Sequence, residues 1–485
     1  MAMGRLSAPG DTMHERRRRG AAVAAFGMVV WFVTAPPVLA VDEAPPNIVI
    51  LYADDLGYGD LGCQGHPAIR TPRLDRMAAE GMRFSDCYSA GEVCTPSRAA
   101  LLTGRYPVRS GMCHDVRRVL HRDSRGHLPA AEVTLAEALR DRGYASACIG
   151  KWHLGNFALE PAGHPHRHGF DYFFGLPHSN DMDATPAAPH DAVGRLEQDP
   201  RWWNLALWRQ DAEIERPTDQ SALTRRTIDE AISFVAAHER DPFLLYVPFT
   251  FPHVPLFASA EFRGRSRHGI YGDVVEELDA GVGRLLDAIA DRGLDGRTCV
   301  VFSSDNGPWL TMGPQGGSAG PLRDGKGSTW EGGMRVPMIA RWPGRIPAGS
   351  VHRGVVSTMD LFATGLALAG ARPPQDVAID GIDLRPALFA NQAVDREAFF
   401  FYRGTRLFAV RSGRWKAHLF TQPAYGEPRA TPHAPPLLYD LEADPGEAHD
   451  VAAEHPDVVT RLQALARAQE AACPPAPSQL GNVRR

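Results

Sequence analysis

Several apolar runs in this chain stop abruptly at residues able to do chemistry, and helical stretches separate the runs. Asn47-Ile48-Val49-Ile50-Leu51-Tyr52 is cut by Asp54-Asp55 and Gly57. Ala145 to Ile149 runs into Gly150-Lys151-Trp152-His153, and Phe243 to Phe251 runs into His253. Cys299-Val300-Val301-Phe302 stops at Asp305-Asn306-Gly307. Short unbroken apolar runs with such ends read as strands buried on both faces, as in a parallel sheet. Between them, Thr134 to Gly143 reads as a helix opened by a Thr134/Glu137 capping box and closed by Gly143. Ile228 to Ala237 and Glu276 to Arg292 also have helical period. Alternating strand and helix predicts a layered α/β fold. Ligands of open α/β sheets sit at the carboxyl ends of strands. Asp54, Asp55, Lys151, His153, His253, Asp305 and Asn306 are therefore expected to share one site.

The rest of the chain is organised around this unit. A length of 485 residues with 44% hydrophobic and 22% charged content is enough for a large core. A net charge of -5, without a basic stripe interleaved with aromatics, gives no reason to expect a nucleic-acid partner. Arg16 to Arg19, the apolar run from Ala21 to about Ala35, and the ending Val38-Leu39-Ala40 have the shape of a secretory signal peptide. The run is about fifteen residues, short of the ~20 that span a bilayer. Residues 1–40 are therefore expected to be removed near Ala40 and the protein exported, to a periplasm or outside the cell; a retained anchor is the alternative. Arg341 to Gly349 reads as a loop. From about Ala398 short alternating segments, such as Phe408-Ala409-Val410-Arg411 and Trp415-Lys416-Ala417-His418, predict antiparallel strands. The expected division is a catalytic domain over 41–390, a smaller subdomain over 391–473 and a disordered tail over 474–485.

Seven cysteines are present and no C-x-x-C pair. An odd count in an exported protein leaves at least one thiol without an intrachain partner. Buried free thiols would explain this, and so would chemical modification of Cys94.

The carboxylates Asp54-Asp55 with Asp305-Asn306 suit a hard divalent cation, although aspartates in turns look the same. Lys151, His153, His253 and Lys326 offer donors for an anion and candidates for acid-base work, although each alone could be a packing or loop residue.

One segment decides between these readings. Cys94-Thr95-Pro96-Ser97-Arg98-Ala99-Ala100-Leu101-Leu102-Thr103-Gly104-Arg105 resembles the C-x-P-x-R signature of type I, formylglycine-dependent sulfatases. The other islands follow in the family's order, from Asn47 to the Asp444-Pro445-Gly446-Glu447 segment. Within the family the chain resembles the arylsulfatase A branch, through Arg105 to Met112 and Phe408 to Gln422. The resemblance implies an alkaline-phosphatase-like mixed sheet flanked by helices, with a smaller C-terminal antiparallel-sheet subdomain. It implies hydrolysis of sulfate monoesters by a hydrated formylglycine made from Cys94 by a formylglycine-generating enzyme. It implies one cation, Ca2+ or Mg2+, on Asp54, Asp55, Asp305, Asn306 and an oxygen of modified Cys94. Arg98 and Lys151 resemble residues that hold the nucleophile, and His153 resembles the base in sulfate release. His253 and Lys326 resemble sulfate and leaving-group contacts, and Ser179 a substrate contact. The branch has histidine where this chain has Asn180, which puts leaving-group specificity in question. The substrate is expected to be a sulfated small molecule, glycan or glycolipid, and a homo-oligomer is compatible with the sequence. Two alternatives are a phosphate mono- or diester hydrolase of the same fold and an unmodified, non-catalytic glycan-binding protein.

Overall fold

The computed structural model describes residues 45–425 and 429–483. The expected signal segment lies outside the described residues. Among the described residues no helix is long and apolar enough to cross a membrane.

The expected strands form the centre of an eleven-stranded sheet. Thr298–Ser304, Asn47–Ala53, Phe243–Pro248, Ala145–Lys151 and Tyr172–Leu176 lie side by side in that order, all parallel. Ile50 stands opposite Val301 on one side and Tyr246 on the other, which fixes the register. Successive side chains of a strand point to opposite faces, so both faces must be apolar. Val49 and Leu51 enter one core, while Ile48, Ile50 and Tyr52 enter the other. Helices Pro72–Glu80, Leu223–Ala237 and Gly269–Asp291 cover the first face through Leu74, Ile228 and Leu278. Helices Cys94–Thr103, Leu135–Arg140 and Asp360–Ala369 cover the second through Leu101, Leu135 and Phe362.

The sheet is mixed because strand Arg335–Arg341 runs antiparallel to Thr298–Ser304, and Met82–Tyr88 antiparallel to Arg335–Arg341. Arg341 thus ends a strand, and the expected loop follows it over 342–349. The capping box at Thr134 is formed, with the Glu137 N–H donating to Thr134 Oγ1 at 3.2 Å. Its helix ends at Arg140, before Gly143. The helix expected from Glu276 begins at Gly269, where Tyr271 turns inward and donates to Asp60 at 2.6 Å.

A separate four-stranded antiparallel sheet holds Phe399–Arg403, Arg406–Ser412, Trp415–Thr421 and Thr431–Asp440, backed by helix Pro456–Ala472. Buried charges key it to the larger sheet. Lys416 Nζ donates to Glu331 at 2.9 Å and to the Thr329 carbonyl at 2.8 Å, and lies 3.0 Å from Glu447. Glu447 accepts from the Glu331 N–H at 2.6 Å and contacts His418 at 2.6 Å. Burial pushes the Glu331 carboxyl up, but Lys416, Arg335 and Arg411 outweigh it and bring it down to about 2. Removing one member of a buried ionic cluster leaves its partners desolvated and unpaired. Glu447→Ala is expected to cost about 3–5 kcal/mol, measured by equilibrium chemical denaturation.

The described residues fall in one unit by internal contacts, and the second sheet belongs to it. The tail expected to be disordered is ordered through residue 483. Its backbone pairs with the catalytic layer, Ala476 N to Val108 O at 2.8 Å and Gln479 N to Gly111 O at 2.9 Å, and Leu480 is fully buried. Its proline-rich composition concealed these long-range bonds.

Candidate active site

The five adjacent parallel strands each release a polar residue at the same edge of the sheet. In sheet order these are Asp305, Asp54, His253, Lys151 and Ser179. Asp305 and Asp54 follow their strands directly, Lys151 ends its own, and His253 and Ser179 come a few residues on. Cys94 is the first residue of a wholly buried helix that ends at Gly104, whose φ of 69° suits glycine. Pro96 costs this helix nothing, since first-turn N–H groups have no intrahelical partner. Arg98 stands one turn beyond Cys94 and so on the same face. Lys326 arrives from the loop before strand Arg335–Arg341. Every sequence-predicted site residue comes to this edge, and all are buried.

The contacts are dense. Arg98 donates to Asp305 Oδ2 at 2.7 and 3.1 Å and to the Lys151 carbonyl at 2.9 Å. Lys151 Nζ contacts Asp54 Oδ2 and donates to Ser179 Oγ at 3.3 Å. Lys326 Nζ donates to Asp55 Oδ2 at 2.7 Å, and His253 Nε2 lies 3.6 Å from the same oxygen. Cys94 Sγ is 3.4 Å from Asp54 Oδ1. Two residues hold left-handed backbone, Asp55 at φ 63° and His153 at φ 56°, a strained conformation that concentrates at functional sites. Gly307 allows the Asn306 loop to close in, because a Cβ there would stand 1.8 Å from the Gly332 carbonyl oxygen.

The electrostatics follow from burial and these pairs. Burial raises the Asp54 carboxyl, yet Lys151, His253, Arg98 and Lys326 together hold it well below its usual range. Asp305 is raised to about 7 by burial and by Asp54, against Arg98. Burial works against the Lys326 charge, but Asp55 and Cys94 raise its pKa well above normal. Burial and then Lys151 drive His153 well below its ordinary value, so it is neutral at neutral pH. Its Nε2 meets the Leu120 carbonyl at 2.8 Å, and its Nδ1 is buried with no partner. Burial and Asp54 push the Cys94 thiol well up. A protonated thiol is a poor nucleophile.

The residues present fit a hard divalent cation. Ligand atoms of Asp54, Asp55, Cys94 and His253 lie within 4.8 Å of one another. Asn306 donates through Nδ2 to Asp55 at 2.7 Å, which leaves its buried Oδ1 without a partner. A buried carbonyl oxygen without a donor beside two carboxylates is the ligand chemistry of calcium or magnesium. Asp305 stands outside that group of four, its oxygens taken by Arg98 and, at 3.1 Å, by the Asp55 N–H.

Above Cys94 opens a cleft of about 670 Å³. His153, Ser179, His253 and Lys326 line its floor, and Trp309 and Tyr425 its side. Residues of the segment Val116 to Asp123 also line it, with the Arg118 guanidinium 5.4 Å from the Tyr425 ring centre. Trp309 is a site residue that sequence reasoning missed. Its ring lies 4.2 Å from Lys326 Nζ and 5.4 Å from the His253 ring. Its place three residues after Asn306 was the available signal. Asn180 does not reach the cleft. It is fully buried, with Nδ2 donating to Gln220 at 2.9 Å and to the Pro255 carbonyl at 3.0 Å.

Comparison with known proteins settles the family. The sulfatase family matches residues 46–371, and the C-terminal region of aryl-sulfatase matches residues 394–485. The chain belongs to the sulfatase family. This sulfatase is 44% identical to human arylsulfatase A, over 87% of both chains. It is 41% identical to steryl-sulfatase of Mus musculus, over 91% of this chain and 86% of that one. Among solved structures it resembles Ps i-CgsB in complex with k-i-k-neocarrahexaose, at TM-score 0.76 and 30% identity, covering 91% of this chain and 95% of that one. The sulfatase therefore has the alkaline-phosphatase-like fold and hydrolyses sulfate monoesters.

Proposed function

We propose that Cys94 is converted to formylglycine by a formylglycine-generating enzyme, and that the sulfatase breaks the ester bonds of sulfated small molecules or glycans from this position. The observation that carries this reading is the placement of residue 94: at the floor of the cleft, beside Asp54, with its thiol held protonated. Of the two hydroxyls of the hydrated aldehyde, one attacks sulfur in line and displaces the alcohol, and the other then gives up its proton and expels sulfate, which restores the aldehyde. A divalent cation, calcium or magnesium, would be held by Asp54, Asp55, Asp305, Asn306 and the oxygen of residue 94, and would supply positive charge beside the sulfate oxygens.

The chain's own groups do the remainder. Arg98, pinned by Asp305 and by the Lys151 carbonyl, fixes the helix turn that presents residue 94. Lys151 stands between Asp54 and Ser179 and orients the nucleophile toward the cleft. His153 has its Nε2–H committed to Leu120, so the free Nδ1 accepts a proton in sulfate release. Lys326 keeps its charge and offers it to the sulfate and the leaving oxygen. His253 and Ser179, 3.4 Å apart, complete the cradle. His153→Ala and Lys326→Ala are each expected to lower kcat by about 10²–10⁴ on an aryl sulfate.

Intact mass of the peptide carrying residue 94 tests the modification, since thiol to aldehyde lowers it by roughly 18 Da. Parallel assays on aryl sulfate and aryl phosphate test the reaction class. A preference for phosphate, or an unmodified and inactive residue 94, would favour the alternatives. Export after cleavage near Ala40 belongs to the same reading and is tested by N-terminal sequencing of the mature protein.

A further inference from the structure

The floor of the cleft accounts for the sulfate, so the remaining walls must receive the alcohol. On those walls, two of the three arginines are matched. Arg117 donates to Asp123 at 2.6 Å, and Arg118 pairs with Glu92 at 3.1 Å. Arg122 is exposed, lines the cleft and makes no ion pair among the described residues. Asp181 also lines the cleft, and its Oδ1 is buried with no hydrogen-bond partner. The Arg117 Nε is buried and unpartnered as well. Two rings, Trp309 and Tyr425, line the same cleft, with centroids 5.5 Å apart and planes tilted by 33°.

Buried donors and acceptors without partners call for partners from a ligand or water. One unpaired acceptor and unpaired donors, next to an aromatic surface, suit a molecule with several hydroxyls on an otherwise apolar frame. A fused hydrocarbon leaving group would strip water from Asp181 and give nothing back, which is costly for a charged group. A second anionic group on the substrate would face the Asp181 carboxylate.

The geometry points to a saccharide-binding leaving-group subsite in which Asp181 accepts from sugar hydroxyls, Arg122 and Arg117 donate to them, and Trp309 with Tyr425 carries the apolar face of the ring. This rests on the sulfate-ester chemistry proposed above and extends it to the alcohol. Asp181, one position after the Asn180 singled out in the sequence, is then a specificity-determining residue.

The test compares kcat/KM of the modified, cation-loaded enzyme on galactose 6-sulfate, a sterol 3-sulfate and 4-nitrophenyl sulfate. The expected wild-type result is a preference for the sugar ester over the sterol ester of about ten-fold or more. Asp181→Ala is expected to lower the galactose 6-sulfate to 4-nitrophenyl sulfate ratio by about ten-fold or more, because a nitrophenol has no hydroxyl to donate. Asp181→Asn should keep part of the ratio, since its amide oxygen still accepts. Arg122→Ala, at an exposed position where folding is not at stake, should lower the same ratio. Calorimetric binding of galactose 6-sulfate to the Cys94→Ala protein, with and without Asp181→Ala, reads the subsite without turnover. Preference for the sterol ester, or ratios unchanged in both the Asp181→Ala and Arg122→Ala enzymes, overturns the subsite. Loss of 4-nitrophenyl sulfate turnover in the wild type would instead overturn the mechanism at residue 94.

Discussion

Cys94→Ala is expected to abolish turnover of 4-nitrophenyl sulfate, with kcat falling by about 10⁴-fold or more, as when an enzyme loses its covalent nucleophile. The side chain removed is small and 1% exposed, and its one polar contact is the 3.4 Å approach to Asp54. The fold should therefore survive, with unchanged circular dichroism and little change in melting temperature. Cys94→Ser is the sharper variant. A serine hydroxyl can attack sulfur once, but it has no second hydroxyl with which to expel sulfate, so at most a single turnover is expected. Near-normal steady-state activity in either variant would sink the proposed chemistry.

Removing the divalent cation is expected to have the second largest effect. Chelation should stop turnover, and adding back calcium or magnesium in separate experiments should restore it and identify the ion. It should also lower thermal stability. A cation present at 100 times its dissociation constant contributes about 2.7 kcal/mol. The physical reason is the crowding of carboxylates: Asp54 and Asp55 are adjacent, Asp305 is within reach of both, and all three are buried. Lys151 and Lys326 offset part of this repulsion, so the chelated protein should remain folded. Full activity after exhaustive chelation would remove the cation from the mechanism.

Most of the site was legible in the sequence because a parallel sheet converts sequence order into spatial order. Each apolar run ends at the same edge, so Asp54, Lys151, His253 and Asp305, up to 251 positions apart, converge without any further device. The capping box at Thr134 was legible because it is a contact between residues three apart. What was not legible depends on contacts that no local pattern encodes. The Arg98–Asp305 pair joins a helix to a distant strand end, and Trp309 leans on Lys326 across a loop. Asn180 drew attention only as a departure from the related branch; its place in a turn sends it inward to Gln220, and Asp181 lines the cleft. The tail was misjudged for the same reason. Composition describes a proline-rich segment, whereas Leu480 is buried in a core whose other members lie up to hundreds of positions earlier.

That late-arriving tail bears on when residue 94 can be reached during biosynthesis. The segment just beyond the Cys94 helix is tied down by chain made long after it: Gly104 by Asp380 and Gly381, Val108 by Ala476, and Gly111 by Gln479. The sequence holds about 390 residues beyond Cys94, whose translation at ~5–20 residues per second takes roughly 20–80 s. Through that interval the signature peptide lacks its final covering, and the maturation enzyme proposed above would find it open. Under that proposal, ribosome speed would become a variable in how completely the thiol is oxidised.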